Sequence, residues 1–283
     1  MLVDAWEDRD VAIADIGGAY LHADMNDYTL LKLEGVSVDI MCEVNTVYKK
    51  FVCLENGKRV LYLRLLKALY GCVKSALLWY ELFSTTLKDM GFVLNPYDEC
   101  VANKIIHGKQ CTIAWHVDDN KISHVDSKVV TEVIQAIEAK FGKMTITRGK
   151  DHIFLGMNVS FRGGGTFSIL MKEYLIESID EYGEKVVGTT STPARKYMFS
   201  VDENSEVLDE NRSKRFHSIT AKLLYVSNRA RVDLKLSIAF LSTRVTKSTI
   251  QDWEKLKRVL RYIQGTIDMP RILGADSMLN LVT

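Results

Sequence analysis

The chain has 283 residues, of which 47% are hydrophobic and 26% charged, and its formal net charge at pH 7 is +1. This length and apolar fraction suffice for one large or two ordinary folded domains, and they exclude a disordered chain. No apolar run approaches the roughly 18 to 20 residues that cross a bilayer, and the acidic start MLVDAWEDRD excludes a secretory signal, so an intracellular protein without a membrane partner is expected.

The first predicted element is a short buried strand over residues 10–15, DVAIAD, which stops before Gly17-Gly18 and has Asp15 at its end. Residues 24–58 have a mixed pattern that indicates an irregular insertion built mostly of strands. One strand is predicted at YTLLKL, and Asn56-Gly57 is a two-residue turn signal between two strands of a hairpin.

A helix is predicted over residues 75–90, with Gly91 as its stop. The alternating stretch CTIAWHVDDNKISHV then predicts a hairpin with Asp118-Asp119 at its tip. A second helix over residues 128–141 follows, and then strands at HIFLGMNVSF and TFSILM. The three glycines at 163–165 favour a hairpin turn over a phosphate-binding loop, because no helix pattern opens behind them.

Residues 189–212 are polar and aperiodic, which predicts a linker, with a boundary near residues 165–190. One or two helices are predicted over 219–241. Thr249 begins a sequence typical of a capping box, and the helix that it starts ends at Gly265. The five cysteines are scattered without a C-x-x-C pair, which favours ordinary thiols over a zinc site or disulfides.

Positive charge is concentrated in this last part of the chain. Residues 212–261 contain thirteen basic and three acidic residues, a net charge of +10, so the rest of the chain carries −9. A basic part attached to an acidic body suits a protein that holds a phosphate backbone on one side. A solvated helical face is the alternative reading.

The paired acids Asp118 and Asp119 indicate a candidate metal site. Two adjacent like charges repel, and tight turns usually place one Asp beside Gly or Asn. Divalent Mg²⁺ would compensate, since it prefers oxygen ligands, and Asp15 at the end of its own strand could supply a third carboxylate. A solvated Asp-Asp turn explains the pair equally well on spacing alone.

Six segments together resemble the polymerase of copia-type LTR retrotransposons and, through it, retroviral reverse transcriptases. They cover nearly the whole chain in the family's order. The segments are ADIGGAYLHADM (14–25), LLKALYGCVKSALLWYELF (65–83), HVDDNKISH (116–124), FLGMNV (154–159), FHSITAKLLYVSNRARVDLKLSIAFLS (216–242) and TKSTIQDWEKLKRVLRYIQGT (246–266).

The resemblance implies roles for individual residues. Asp15, Asp118 and Asp119 would be catalytic metal ligands, with the backbone carbonyl of Ile16 as a further ligand. Tyr20 would be the aromatic gate that excludes a ribose 2′ hydroxyl, although a core tyrosine is the alternative. The other implied contacts are Tyr20 and Lys74 to the nucleotide, and His116, Phe154, Leu155, Gly156, Lys257, Arg258 and Arg261 to primer and template.

Three departures from the family pattern stand out. His116 occupies a position that is usually tyrosine. Lys74, Ala76 and Leu77 replace the family's Gln, Pro and Arg in the helix motif that would contact the nucleotide. Only fourteen residues precede Asp15, where the family has a fingers segment, and no RNase H segment follows, so a truncated fragment is expected.

The expected fold is α+β, namely a right-hand polymerase palm with an antiparallel sheet, partial fingers and a helical thumb or connection. The predicted domains are a palm over 1–165 with a fingers remnant at about 24–64, a thumb start and polar linker over 166–212, and a basic connection region over 213–283 that precedes a missing RNase H domain.

The expected activity is RNA-directed DNA polymerisation with two Mg²⁺ ions, or Mn²⁺ in their place, on an RNA or DNA template with primer and dNTPs. The chain would belong to a Gag-Pol polyprotein in the cytoplasm or in virus-like particles. A catalytically inactive relic that only binds nucleic acid is the alternative. A two-metal nuclease or integrase is disfavoured, because no D…D…E arrangement exists beyond the hairpin.

Overall fold

A computed structural model describes residues 1–274 as an α+β fold with antiparallel sheets. These residues form two compact units, one of residues 12–147 and one that joins residues 1–11 to the chain from residue 148 onward. No helix within the described residues is long and apolar enough to cross a membrane.

The elements follow one another in a mixed order of helices and strands. The helices are α1 Leu2–Trp6, α2 Ala19–His22, α3 Val36–Val44, α4 Ser75–Asp89, α5 Ser127–Phe141, α6 Lys172–Glu181, α7 Glu210–Arg229, α8 Lys235–Ser242 and α9 Ile250–Gly265, with 3₁₀ turns at Thr46–Phe51 and Val232–Leu234. The strands are β1 Asp10–Ile16, β2 Leu30–Glu34, β3 Cys53–Glu55, β4 Lys58–Arg64, β5 Val93–Leu94, β6 Val101–Ile106, β7 Lys109–His116, β8 Asp119–His124, β9 Met144–Arg148, β10 Asp151–Phe154, β11 Met157–Gly163, β12 Thr166–Leu170 and β13 Arg271–Gly274.

A six-stranded sheet in the order β5-β6-β7-β8-β1-β9 organises the unit of residues 12–147. Its core face packs on α4 and α5 because apolar residues alternate along the strands and recur at helical spacing on the helices. Three aromatic side chains form the centre of this core. The Trp79 and Phe83 rings stack with centroids 5.3 Å apart, and the Phe141 ring meets Trp79 edge-on at 5.2 Å.

The two helices that pack on this sheet have start and stop signals in the sequence where they begin and end. The Asp126 side chain accepts a hydrogen bond from the Lys128 backbone N–H at the start of α5. Gly91, with φ of +84°, ends α4 in the left-handed conformation that glycine adopts without strain. The predicted helices over 75–90 and 128–141 are therefore confirmed.

A three-stranded sheet in the order β2-β4-β3 forms the insertion. Asn56 and Gly57 both have positive φ, as a two-residue hairpin turn of the predicted type requires. The prediction of an insertion built mostly of strands was incomplete, because α3 and the 3₁₀ turn at Thr46–Phe51 also lie here.

The other unit combines a sheet in the order β10-β11-β12-β13 with helices α6 to α9. Helix α9 begins as predicted, since the Thr249 side chain and the Asp252 side chain form a reciprocal capping box. The prediction of one or two helices over 219–241 is confirmed by α7 and α8, although α7 already starts at Glu210, inside the predicted linker. The two compact units divide after residues 11 and 147. The boundaries predicted at 165 and 212 concern functional regions and stay predictions. Residues 275–283 of the predicted connection region lie outside the described residues.

Candidate active site

The β7–β8 hairpin carries the acidic pair at a two-residue turn. His116 and Asp119 are partners in the antiparallel register, so Val117 and Asp118 form the turn and Asp119 is already the first residue of β8. The prediction that both aspartates form the tip was therefore wrong by one residue. Val117 has φ of +58°, a left-handed conformation that is strained for a β-branched side chain. Strain of this kind is characteristic of functional sites.

Three hydrogen bonds from three different elements hold the two carbonyl groups of this turn. The Trp79 indole Nε1 donates to the Val117 carbonyl at 2.7 Å. The Asn120 side-chain amide donates to the Asp118 carbonyl at 2.7 Å, and the Ile16 backbone N–H donates to the same oxygen at 3.1 Å. The last bond joins the end of β1 to the turn, so the backbone that carries Asp15 lies beside the backbone that carries Asp118.

Strand alternation separates the acids from the core. Ala12, Ala14 and Ile16 of β1 belong to the buried cluster, so Asp15 lies on the opposite face of the sheet. In β8 the side chain of Ile122 points into the buried cluster. Asp119 is an odd number of residues away along the strand, so it also lies on that opposite face. The sequence prediction that strands bring Asp15 toward the acidic pair is thus consistent with the register of the sheet.

Electrostatic interaction among the three acids is evident at Asp119. Partial burial raises the pKa of its carboxyl group, and the nearby charges of Asp118 and Asp15 raise it further, while His116 acts in the opposite direction. The carboxylates of Asp118 and Asp15 therefore disfavour ionisation of Asp119, as expected where an external cation normally compensates.

The donor set fits a hard divalent cation, because carboxylate oxygens and backbone carbonyls are the ligands that Mg²⁺ prefers. Within residues 1–274, however, no group of three or more His, Cys, Asp or Glu side chains is arranged closely enough to hold a metal ion. The three aspartates therefore interact through space without forming a preassembled three-ligand cage.

Two tyrosines lie next to the turn. The Tyr70 hydroxyl donates a long hydrogen bond of 3.5 Å to Asp118 Oδ2, and the pKa of Tyr70 is raised by burial and by the Asp118 charge. The Tyr20 ring packs against the Tyr70 ring with centroids 4.5 Å apart. Tyr20 is half-buried at the margin of the core, so its ring faces the same neighbourhood as Asp118.

The segment before α4 is fixed by Ser75 and ends at Lys74. The buried Ser75 hydroxyl accepts a hydrogen bond from the Leu69 N–H and donates one to the Leu69 carbonyl, which closes the loop that presents Tyr70. Lys74 forms an ion pair with Asp27 in the insertion. The candidate nucleotide contact Lys74 is therefore already engaged with a carboxylate.

Phe154, Leu155 and Gly156 lie in the other compact unit, at the turn between β10 and β11. Leu155 and Gly156 have φ of +50° and +70°, and the Tyr225 hydroxyl of α7 donates to the Leu155 carbonyl at 2.7 Å. A Cβ atom at Gly156 would lie 2.9 Å from the Tyr174 ring. This turn is thus tightly constrained by two tyrosines.

The three basic residues predicted on α9 have different surroundings. Lys257 lies 3.6 Å from Glu184 and 3.9 Å from Glu254, so its charge is compensated within the protein. Arg258 and Arg261 instead line a cavity next to residues 195–205. Only these two are placed to offer charge to a ligand.

Asn120 is a site residue to which sequence reasoning gave no role. Tyr70, Ser75 and Trp79 lie in the segment 65–83 that carries the family resemblance, but their contacts around the turn were not predicted. A signal existed for Asn120, because the alternation of β8 puts its polar side chain on the core face, where a hydrogen-bond partner is needed. No local pattern indicated that Trp79, 38 residues before the turn, donates to it.

Comparison with known proteins agrees with this arrangement. A family model described as "Reverse transcriptase (RNA-dependent DNA polymerase)" matches residues 1–196. The chain is 26% identical over 207 residues to a putative transposon Ty5-1 protein of Saccharomyces cerevisiae, covering 71% of this chain and 64% of that protein. It is 22% identical over 266 residues to the retrovirus-related Pol polyprotein from transposon TNT 1-94 of Nicotiana tabacum, covering 92% of this chain and 19% of the polyprotein. It is 25% identical over 221 residues to the retrovirus-related Pol polyprotein from transposon RE2 of Arabidopsis thaliana, covering 77% of this chain and 15% of the polyprotein. The chain thus spans less than two thirds of each of these relatives.

Replacing Trp79 with phenylalanine is expected to lower the free energy of unfolding by more than the smaller ring alone would explain. The Val117 carbonyl loses its indole donor, and a buried acceptor without a partner costs about 1–3 kcal/mol. Urea denaturation measures the free energy of unfolding. The matched control is Trp115→Phe, which trims another buried indole of the same cluster without removing a bond to the turn. Equal losses in the two variants would contradict a special role for Trp79.

Asp119→Asn is expected to stabilise the protein at pH 7 in the absence of divalent cations. Because the pKa of Asp119 is raised in the folded state, its ionised form disfavours folding above that pKa, and this penalty disappears as the pH falls below the ordinary value of 3.8. The stability difference between variant and wild type should therefore shrink on acidification. Urea denaturation in EDTA at several pH values measures it, with Asp89→Asn at the exposed end of α4 as a control for the loss of one negative charge. A difference that widens toward low pH would refute the assignment.

Proposed function

Because the chain belongs to the reverse transcriptase family, as a region of the copia type, we propose that it catalyses template-directed transfer of a nucleotide from a dNTP to a primer 3′ hydroxyl. The observation that carries this proposal is the strained Val117-Asp118 turn, whose carbonyls are held by Trp79, Asn120 and Ile16 beside the strand that ends in Asp15. In this reading the six-stranded sheet is the polymerase palm, and the β2-β4-β3 insertion belongs to the fingers.

The proposed reaction forms a bond between the primer 3′ oxygen and the α-phosphorus, and it breaks the bond from that phosphorus to the oxygen bridging to the β-phosphate. Pyrophosphate leaves, and the hydroxyl proton passes to solvent. Asp15, Asp118 and Asp119, with the Ile16 carbonyl, would hold the metal ions. When bound, two Mg²⁺ ions, or Mn²⁺ in their place, supply the charge that activates the hydroxyl and neutralises the leaving group.

The protein's own residues supply positioning. The Trp79 and Asn120 hydrogen bonds fix the backbone that carries Asp118, so this carboxylate needs little rearrangement to become a ligand. The Tyr70 hydroxyl restrains Asp118 Oδ2 from the other side, and Tyr20 packs on Tyr70 where the sugar of the incoming nucleotide would meet a ring. Lys74 would exchange the Asp27 carboxylate for a nucleotide phosphate, since both present anionic oxygen.

We place primer and template against His116, against the turn of Phe154, Leu155 and Gly156, and against Arg258 and Arg261 of α9. Lys257 was expected in the same role, and it would have to leave Glu184 to act in it. The relatives named Pol polyproteins suggest that the chain functions within a Gag-Pol polyprotein, in the cytoplasm or in virus-like particles.

A second candidate function is nucleic-acid binding without catalysis. One observation favours it, namely the ion pair that occupies Lys74. Binding of a primer-template duplex with no extension under any tested metal would select this function.

Primer extension on an RNA template with Mg²⁺ and dNTPs tests the catalytic proposal. Asp118→Asn is expected to reduce the extension rate at least about 100-fold, because several kcal/mol of transition-state stabilisation is lost and about 1.4 kcal/mol is worth tenfold. Removal of the metal with EDTA should have the same effect. Asp89→Asn removes an equal charge at an exposed helix end and should stay within about twofold of wild type. Equal incorporation by wild type and Asp118→Asn would exclude this site.

Tyr20→Val tests the aromatic gate. Loss of the ring opens space beside the sugar, so the preference for dNTP over rNTP, measured as the ratio of kcat/KM values, is expected to fall about tenfold or more. Tyr20→Phe keeps the ring and its packing on Tyr70 and should keep the preference. An unchanged ratio in the valine variant would show that Tyr20 is only a packing residue.

A further inference from the structure

A cavity of about 560 Å³ lies between helix α9 and the segment of residues 195–205, within one compact unit. Arg258 and Arg261 are three residues apart on α9, which puts both side chains on the face toward the cavity. Arg195 lines the same cavity from the segment. Three guanidinium groups therefore border one space.

These three cations have no ion-pair partner among residues 1–274. By contrast, Arg212, Arg231 and Arg244 of the basic tract 212–261 each pair with an acid. Burial lowers the pKa of Arg258, and the charges of Arg195 and Arg261 lower it further. Glu254 also borders the cavity, but its nearest cation is Lys257, at 3.9 Å.

Two buried donors of these side chains lack an acceptor among residues 1–274. The Nε atoms of Arg258 and Arg261 are both buried and have no hydrogen-bond partner among residues 1–274. Within the part of the chain that the structure describes, one hydrogen bond restrains these groups, from Arg258 Nη2 to Thr192 Oγ1 at 3.1 Å. Buried donors without partners are unfavourable, and with so few bonds to the protein the two guanidinium groups keep other N–H donors for an acceptor in the cavity.

Lys255 borders the same cavity but serves the fold. Its Nζ donates to the Ser200 carbonyl at 2.6 Å and to Gln251 Oε1 at 3.2 Å, which ties the segment to α9. The lysine therefore keeps Arg195 near Arg258 and Arg261 instead of competing for a ligand.

We propose that Arg195, Arg258 and Arg261 form a discrete site that binds a phosphate group. A tetrahedral oxyanion presents several acceptors at once, which suits three guanidinium groups that converge from two segments. Tyr197 and Met198 line the cavity beside them and offer apolar surface to the carrier of the phosphate. That carrier is a nucleic-acid strand or a free phosphate compound. The nucleic-acid alternative rests on the proposed function, whereas the phosphate site itself does not.

Isothermal titration of the whole chain with inorganic phosphate, against sodium chloride at equal ionic strength, tests the site. Arg195→Gln is expected to weaken phosphate binding about fivefold or more, since one charge-assisted hydrogen bond is lost. The matched control is Lys196→Gln, which removes the neighbouring charge outside the cavity lining and should stay within about twofold. Arg261→Gln, on the helix, should weaken binding as Arg195→Gln does. Equal affinities for all variants, or no phosphate binding by wild type, would overturn the proposal.

Competition with a labelled primer-template duplex identifies the source of the phosphate. If inorganic phosphate displaces the duplex from wild type but less well from Arg195→Gln, the site holds a backbone phosphate. If both bind together, the site takes a free phosphate compound. Either result supports the site. Asp118→Asn should bind phosphate as wild type does, so a failure of nucleotide transfer and a failure of this site are separate results.

Discussion

The turn of Val117 and Asp118 is the constraint on which the candidate active site depends. A β-branched residue at φ of +58° is unfavourable by itself, so the surrounding structure must hold it. Trp79 does so from helix α4, Asn120 from the hairpin itself, and Ile16 from the neighbouring strand. The aromatic cluster of Trp79, Phe83 and Phe141 in turn fixes the indole donor. The packing of the aromatic core therefore determines the position of the turn that carries Asp118.

The backbone of this turn is well held, but the negative charge of its side chains is poorly compensated. Asp15, Asp118 and Asp119 are close enough for the first two to raise the pKa of the third, yet no described group of acids forms a closed cage. Tyr70 supplies one donor at 3.5 Å, which is weak compensation for three carboxylates. A rigid backbone with mutually repelling side chains suits a site whose remaining order comes from a bound cation, because the cation then gains the energy of relieving that repulsion.

The sequence allowed prediction of those elements whose signals are local. Helix α4, helix α5 and the capping box of α9 followed from periodicity and end signals, and the Asn56-Gly57 hairpin followed from turn chemistry. The hairpin register was wrong by one residue because a valine at a left-handed position contradicts local preference. Helix α6 and strand β13 were missed, the latter because it pairs with β12 about 100 residues earlier in the chain. The bond from Trp79 to Val117 is equally non-local, and no spacing rule announces it.

The basic tract shows why a net charge read from sequence overstates what a ligand can use. Residues 212–261 carry +10, but Lys222 pairs with Glu177 and Glu181, Arg231 with Asp233, and Lys257 with Glu184, so several of these cations serve the fold. Folding distributes the acids of distant segments onto this tract, and among residues 1–274 Arg258 and Arg261 are two of its basic residues that form no ion pair. A third uncompensated cation, Arg195, comes from outside the tract altogether. Charge that is available to a phosphate is therefore a property of the tertiary structure, which brings these three cations to one cavity.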